Sequence, residues 1–233
     1  MKRLFDLAIV IPSLILLSPM LVLLALCVRL DSSGPALFRQ RRVGQGGRVF
    51  HILKFRTMVQ ASESAGPCFT VLRDRRITRF GRVLRRYKLD ELPQLINVLL
   101  GDMSLVGPRP QVEAIVAHYP PQVRRIVFSV RPGITDPATI RFRNEEQLLA
   151  RAADPARYHI HVVLPQKLQM YVDYVSQHTL GRDVGILART VRCVLNRGMR
   201  DAGMVTGRNE KLRHEFKQVV EGGKVVFVHQ AVQ

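Results

Sequence analysis

The chain has 233 residues, with 36 lysines and arginines against 18 acidic residues and a formal charge of +18, so its partners are anionic. Nucleic acid, phosphorylated substrates and anionic headgroups all qualify, but Trp is absent and aromatics are only 6%, so a base-stacking surface is poorly supplied. Cys27, Cys68 and Cys193 lie far apart and make neither a zinc site nor a disulfide framework, which suits a reducing compartment.

From Leu7 to Val28 there is no charge, and Ser18-Pro19 breaks the run near its middle. As one helix it would be roughly 33 Å long, enough for a bilayer core of about 30 Å; bent at Ser18-Pro19, each arm would be about 16 Å. Proline removes a backbone donor and favours a bend, and the Ser18 hydroxyl is placed to satisfy the freed carbonyl. Lys2 and Arg3 precede the run and Arg29 follows it. A straight span exports one of these groups, whereas a re-entrant hairpin keeps all three on the cytoplasmic face. The pattern alone leaves both open. A signal peptide fits poorly, because the run is too long and bulky Leu26 stands where a lipoprotein box needs a small residue.

Beyond a turn-rich exit at Asp31–Pro35, residues 36–43 and 49–55 read as two strands of a hairpin around Gly44–Gly47, a plain turn rather than a phosphate loop. Residues 62–67 read as a surface loop. From Arg75 the chain turns helical and basic, through Arg76, Arg79, Arg82, Arg85, Arg86 and Lys88. Leu92, Leu95, Ile96 and Leu99 recur at helical spacing, Pro93 fits the first turn and Gly101 stops the helix. Asp90-Glu91 therefore opens a helix. Gly107–Pro110 and Arg131–Gly133 are rigid turns. Residues 145–153 and 164–175 are expected helices. A last apolar stripe, Val184 to Leu195, belongs to a helix that rests either on the membrane surface or on the core. The expected fold is α+β, mostly helical. A membrane helix covers 1–30, a cytoplasmic domain 31–200 and a tail 201–233.

Adjacent carboxylates inside a run of arginines are unusual. A helix N-terminus and nearby cations favour their ionised forms, and a hard divalent cation such as Mg²⁺ would relieve their mutual repulsion. An ionised aspartate can attack phosphorus, and arginines can hold the phosphate oxygens as charge develops. The plainer alternative is that Asp90 caps the helix and Glu91 complements its dipole. Spacing alone does not separate the two.

Several motifs then coincide: Lys54–Met58 (KFRTM), Leu89–Leu95 (LDELPQL), Asn97–Leu99, Gly101–Pro110 (GDMSLVGPRP) and Arg131–Thr135 (RPGIT). Together they resemble the bacterial sugar transferases, the monotopic phosphoglycosyl transferases, in order from about Lys2 to Leu195. The resemblance implies transfer of a sugar-1-phosphate from a UDP-sugar to undecaprenyl phosphate with release of UMP, the first membrane step of a surface glycan. It implies a re-entrant helix bent at Ser18-Pro19, monotopic on the cytoplasmic face of the bacterial inner membrane, against anionic lipid. It also implies Asp90 as nucleophile, Glu91 as the Mg²⁺ ligand, and phosphate contacts from Arg85 and Arg109. Lys54 and Arg56 stand between substrate binding and structural pairing. One departure is that many relatives follow the PGIT turn with Gly and Ala-Gln-Val, where this chain has Asp136–Ile140 and then Arg141–Glu146. That bears on the sugar rather than the reaction. The rivals are a non-catalytic basic scaffold on the membrane, a nucleic-acid binder, and a one-step transferase in which Asp90 only holds metal. The sugar, the glycan pathway and the oligomeric state are not legible.

Overall fold

Both ends of the first helix, α1 (Lys2–Asp31), pack onto the rest of the chain. The computed structural model describes residues 1–59, 74 and 76–195; the expected 62–67 loop, Cys68, Arg75 and the 201–233 tail lie outside the described residues. α1 contains Pro12 and Pro19 within its helical span. Pro19 has no N–H for the carbonyl of Ile15, and the Ser18 hydroxyl donates to that oxygen at 2.8 Å, as its position suggested. Val10, Leu14, Leu17, Leu21, Leu24 and Val28 recur at steps of three and four, and this stripe faces the core. The opposite face is just as apolar and stays exposed: Ile15, Leu16, Val22 and Leu23 among others.

Strands β1 (Leu37–Val43) and β2 (Val49–Phe55) form the expected antiparallel hairpin, Leu37 opposite Phe55 and Val43 opposite Val49. The turn between them uses Gly46 and Gly47 at positive φ. Their amides already donate to Phe128 and Gly44 carbonyls, which agrees with a plain turn. Helix α2 (Arg79–Tyr87) is capped by Thr78, whose hydroxyl accepts from Gly81 N–H. Lys88 then takes a left-handed conformation and reverses the chain into a single 3₁₀ turn, Leu89–Glu91. Leu92 and Pro93 continue helically into α3 (Gln94–Leu100), which Gly101 ends at φ 94°.

The next pairing has no signal in the sequence. Ser104–Val106 (β3) lies parallel to Gly133–Thr135 (β4), so the GDMSLVGPRP and RPGIT motifs are neighbours in one small sheet. Three-residue strands carry too little alternation to be seen in a sequence. Gly107 and Gly133 are required there: a Cβ on Gly133 would lie 2.0 Å from Gly107 N, and one on Gly107 2.5 Å from Arg131 O.

Helices α4 (Glu113–Val116), α5 (Pro121–Val127), α6 (Pro137–Arg141), α7 (Glu145–Ala150) and α8 (Pro155–Tyr158) are short. A π-helical turn, His159–Val163, leads into α9 (Leu164–Ser176), and α10 (Leu180–Leu195) follows. The Asp136 departure is a buried cap. Its carboxylate accepts from Thr139 N–H at 2.9 Å and Thr139 O–H at 2.6 Å. One core cluster joins Val10 of α1, Ile52 of β2, Val98 of α3, Val106 of β3, Tyr174 of α9 and Ile186 of α10. It lies against the elements that carry the site.

Candidate active site

Asn97 sets the frame. Fully buried on α3, it accepts from Leu53 N–H at 2.9 Å and donates to His51 O at 2.8 Å, stitching β2 to α3. Lys54 on β2 is thereby held beside the 3₁₀ turn that precedes α3. Its ammonium lies 3.1 Å from Glu91 Oε1. Arg109, from the rigid turn after β3, reaches the same carboxylate. Its Nη1 donates to Glu91 Oε2 at 3.1 Å, and its Nη2 makes a short ion pair with Oε1. Arg109 Nη1 also lies 3.5 Å from Ile134 O on β4. Glu91 is thus clamped between two cations supplied by separate motifs.

The two neighbouring carboxylates are driven apart electrically. Burial works to raise Glu91, but Arg109 and Lys54 outweigh it and hold the carboxyl well below the usual range. Asp90 goes the other way. Burial, and then the Glu91 charge, push it above the ordinary aspartate value despite Lys54, Lys88 and Arg85. This corrects the expectation that the cations would govern both members of the pair. Burial also lowers Lys54. Asp90 is 7% exposed and its Oδ1 has no hydrogen-bond partner among the described residues. One helical turn on, Gln94 is fully buried, with neither amide atom partnered among the described residues. Unpaired groups of this kind are costly, and they concentrate where a reacting group must remain available.

Of the other expected residues, Arg85 closes α2 with one guanidinium nitrogen 4.0 Å from Glu146 of α7. The segment that departs from the family pattern thus meets the side chain expected to contact phosphate. Arg56, 3% exposed, donates from Nη2 to Ser32 O at 2.6 Å and Val28 O at 3.4 Å, structural bonds that close the end of α1. In the sequence Lys88 stands only as one of a basic run and Gln94 only as part of a motif, neither with a role of its own. Lys88 carries no sequence signal for positive φ, while Gln94 was visible inside LDELPQL as a polar residue on an apolar helix face.

As for Mg²⁺, no group of three or more His, Cys, Asp or Glu residues able to hold a metal exists among the described residues. The pair nevertheless fits a cation that takes one or two carboxylates and completes its shell with substrate phosphate. Glu91 Oε2 accepts one bond from Arg109, and Asp90 Oδ1 accepts none.

A buried carboxylate pair among guanidinium and ammonium groups suits the handling of phosphate, and α1 is long and apolar enough to cross a membrane. The chain belongs to the bacterial sugar transferase family, which matches residues 1–197. It is 39% identical over 197 residues to a UDP-glucose:undecaprenyl-phosphate glucose-1-phosphate transferase of Caulobacter vibrioides, covering 83% of this chain and 69% of that protein. It is 37% identical over 196 residues to a UDP-N-acetylgalactosamine-undecaprenyl-phosphate N-acetylgalactosaminephosphotransferase of Aeromonas hydrophila, covering 83% of this chain and 43% of that protein. Against the exopolysaccharide production protein PSS of Rhizobium leguminosarum bv. phaseoli, identity is 36% over 85% of this chain and 96% of the relative.

Proposed function

We propose that this sugar transferase moves a sugar-1-phosphate from a UDP-sugar to undecaprenyl phosphate in two displacements through Asp90. In the first, an Asp90 carboxylate oxygen bonds to the sugar-bearing phosphorus and the bond to the UMP oxygen breaks. In the second, an oxygen of the lipid phosphate bonds to that phosphorus, the Asp90–phosphorus bond breaks, and the carboxylate returns. Burial supports this role because it makes Asp90 more basic than an exposed aspartate, while Glu91, paired with Lys54 and Arg109, stays an anion. Arg109 and Lys54 are cations fixed in advance where phosphate charge develops, and Arg85 is a further one. Mg²⁺, held at Glu91, would screen the diphosphate charge.

The placement belongs to the same proposal. The exposed face of α1, with Val83 and Tyr87 on α2, Leu100 on α3 and Val184 and Val191 on α10, supplies apolar contact for lipid. With both ends of α1 on the domain, we read α1 as re-entrant at Ser18-Pro19 on the cytoplasmic face of the bacterial inner membrane, the site at headgroup depth.

The observation that carries the reaction is the buried, unpartnered Asp90 oxygen beside a doubly clamped Glu91. The test is a panel of UDP-sugars with undecaprenyl phosphate and Mg²⁺, scored by UMP release, together with mass spectrometry of enzyme quenched with donor alone. A phosphosugar mass on the peptide containing Asp90, with ping-pong initial rates, is expected. Normal turnover without that adduct would leave the one-step reading standing instead.

A further inference from the structure

Asp6 is the one acidic residue of α1 before Asp31, and it is 1% exposed. Its Oδ2 accepts from Ser104 O–H at 2.9 Å and its Oδ1 from Leu105 N–H at 3.2 Å. β3 is paired on one edge only, with β4, through Ser104 N–H to Pro132 O and Gly107 N–H to Thr135 O. The Leu105 amide faces the other edge, where the Asp6 carboxylate takes the place of a missing strand. Neighbouring residues of the same turn reinforce the contact. Lys2 pairs with Asp183, whose other oxygen holds Tyr174 O–H, while Tyr174 Oη lies 3.1 Å from Val106 O.

What β3 leads into is Arg109. Between them lies Gly107-Pro108, packed backbone against backbone on Gly133, with no room for even a methyl group. A displacement of β3 is therefore passed on to Arg109 rather than absorbed. From this geometry we propose that Asp6 is a positioning residue: the foot of the membrane helix sets Arg109 against Glu91, so that seating of α1 and alignment of the site are one event. This inference rests on the transferase reading above and adds to it a residue remote from the chemistry.

The test uses the full chain in membrane and compares Asp6→Leu, Asp6→Asn, Arg109→Ala and the Asp6→Leu/Arg109→Ala double variant. Leucine loses both acceptors, whereas asparagine keeps a carbonyl for Leu105 N–H and offers its amide to the Ser104 hydroxyl. Asp6→Leu should lower kcat by about 30- to 100-fold, the scale of a misplaced catalytic group. Asp6→Asn should restore activity to within about threefold of wild type, and Asp6→Leu should cost less than about threefold in the Arg109→Ala background. Should Asp6→Leu fail to accumulate, Ser104→Ala decides, with a loss of about three- to tenfold that vanishes beside Arg109→Ala. Losses that multiply, an Asp6→Asn variant as impaired as Asp6→Leu, or an Asp6→Leu variant with wild-type kinetics would overturn the inference while an active wild type upholds the function. A wild type inert toward every UDP-sugar would overturn the function itself.

Discussion

At the scale of single residues, the site separates two carboxylates that are neighbours in sequence. Glu91 is stabilised as an anion by Lys54 and Arg109; Asp90 is not, and its affinity for a proton rises. Because the proposed nucleophile must be ionised, the rate of adduct formation should fall as pH drops through a value above the ordinary aspartate 3.8. Single-turnover rates from pH 4 to 8 would show that acid limb, and a limb at or below 3.8 would contradict the buried-nucleophile picture. The stability sign is opposite. A carboxyl whose folded value is raised gives up stability as pH rises through it, so ionised Asp90 is a burden to the fold at neutral pH. Asp90→Asn should therefore abolish adduct and turnover while leaving the thermal midpoint at pH 7 unchanged or higher. A lower midpoint would mean that the carboxylate is structural. The structure brings Arg109 onto Glu91, next in the chain to Asp90, from a separate motif. That Glu91 is the clamped member was not legible, because it depends on β3 and β4 meeting across a span of sequence with no local signal.

At the scale of elements, legibility followed length and punctuation. The hairpin, the stop at Gly101 and the helices beginning at Glu145 and Leu164 were readable from alternation, a glycine and apolar spacing. The ion cluster between α7 and α9 was not. Glu145 takes the Lys167 ammonium at 2.6 Å and His159 Nε2 at 3.2 Å, the latter positioned by the π-helical turn. Burial opposes ionisation there, but His159 and Lys167 prevail and hold Glu145 down to about 2. A depressed carboxyl stabilises above its unfolded value and loses that contribution as pH falls toward the folded one. Glu145→Gln should cost about 3 kcal/mol at pH 7, as for other buried pairs broken on one side. By differential scanning in detergent that is a midpoint lowered by roughly 6–12 °C. The difference from wild type should shrink between pH 4.5 and 2, and a constant difference would remove Glu145 as its source. For α1 the decisive quantity is which side its ends face. With the native cysteines replaced by serine, Leu4→Cys and Leu30→Cys lie at exposed positions near either end. An impermeant maleimide should label both from the cytoplasmic side of the membrane. Labelling from opposite sides would make α1 a spanning helix.

At the scale of the whole molecule, +18 of charge and one exposed apolar helix face are two separate ways of holding a membrane, and they respond differently to salt. Attraction of basic side chains to an anionic leaflet is worth about 1 kcal/mol per residue near the surface. It is confined to a Debye length that shrinks from about 10 Å at 0.1 M to about 3 Å at 1 M ionic strength. Burial of Ile15, Leu16, Val22 and Leu23 in hydrocarbon contributes about 1.5–3 kcal/mol for each side chain and does not weaken with salt. Attachment should therefore survive where electrostatic attraction does not. In flotation with vesicles of neutral or anionic lipid, the protein should stay bound at about 1 M salt on both, since the apolar part alone exceeds about 6 kcal/mol. Sugar-phosphate transfer should decline with the same salt, because recruitment of phosphates by arginines is screened. Release of the protein by salt from neutral vesicles would mean that the exposed face of α1 does not enter the bilayer, and the placement of the site at headgroup depth would fall with it.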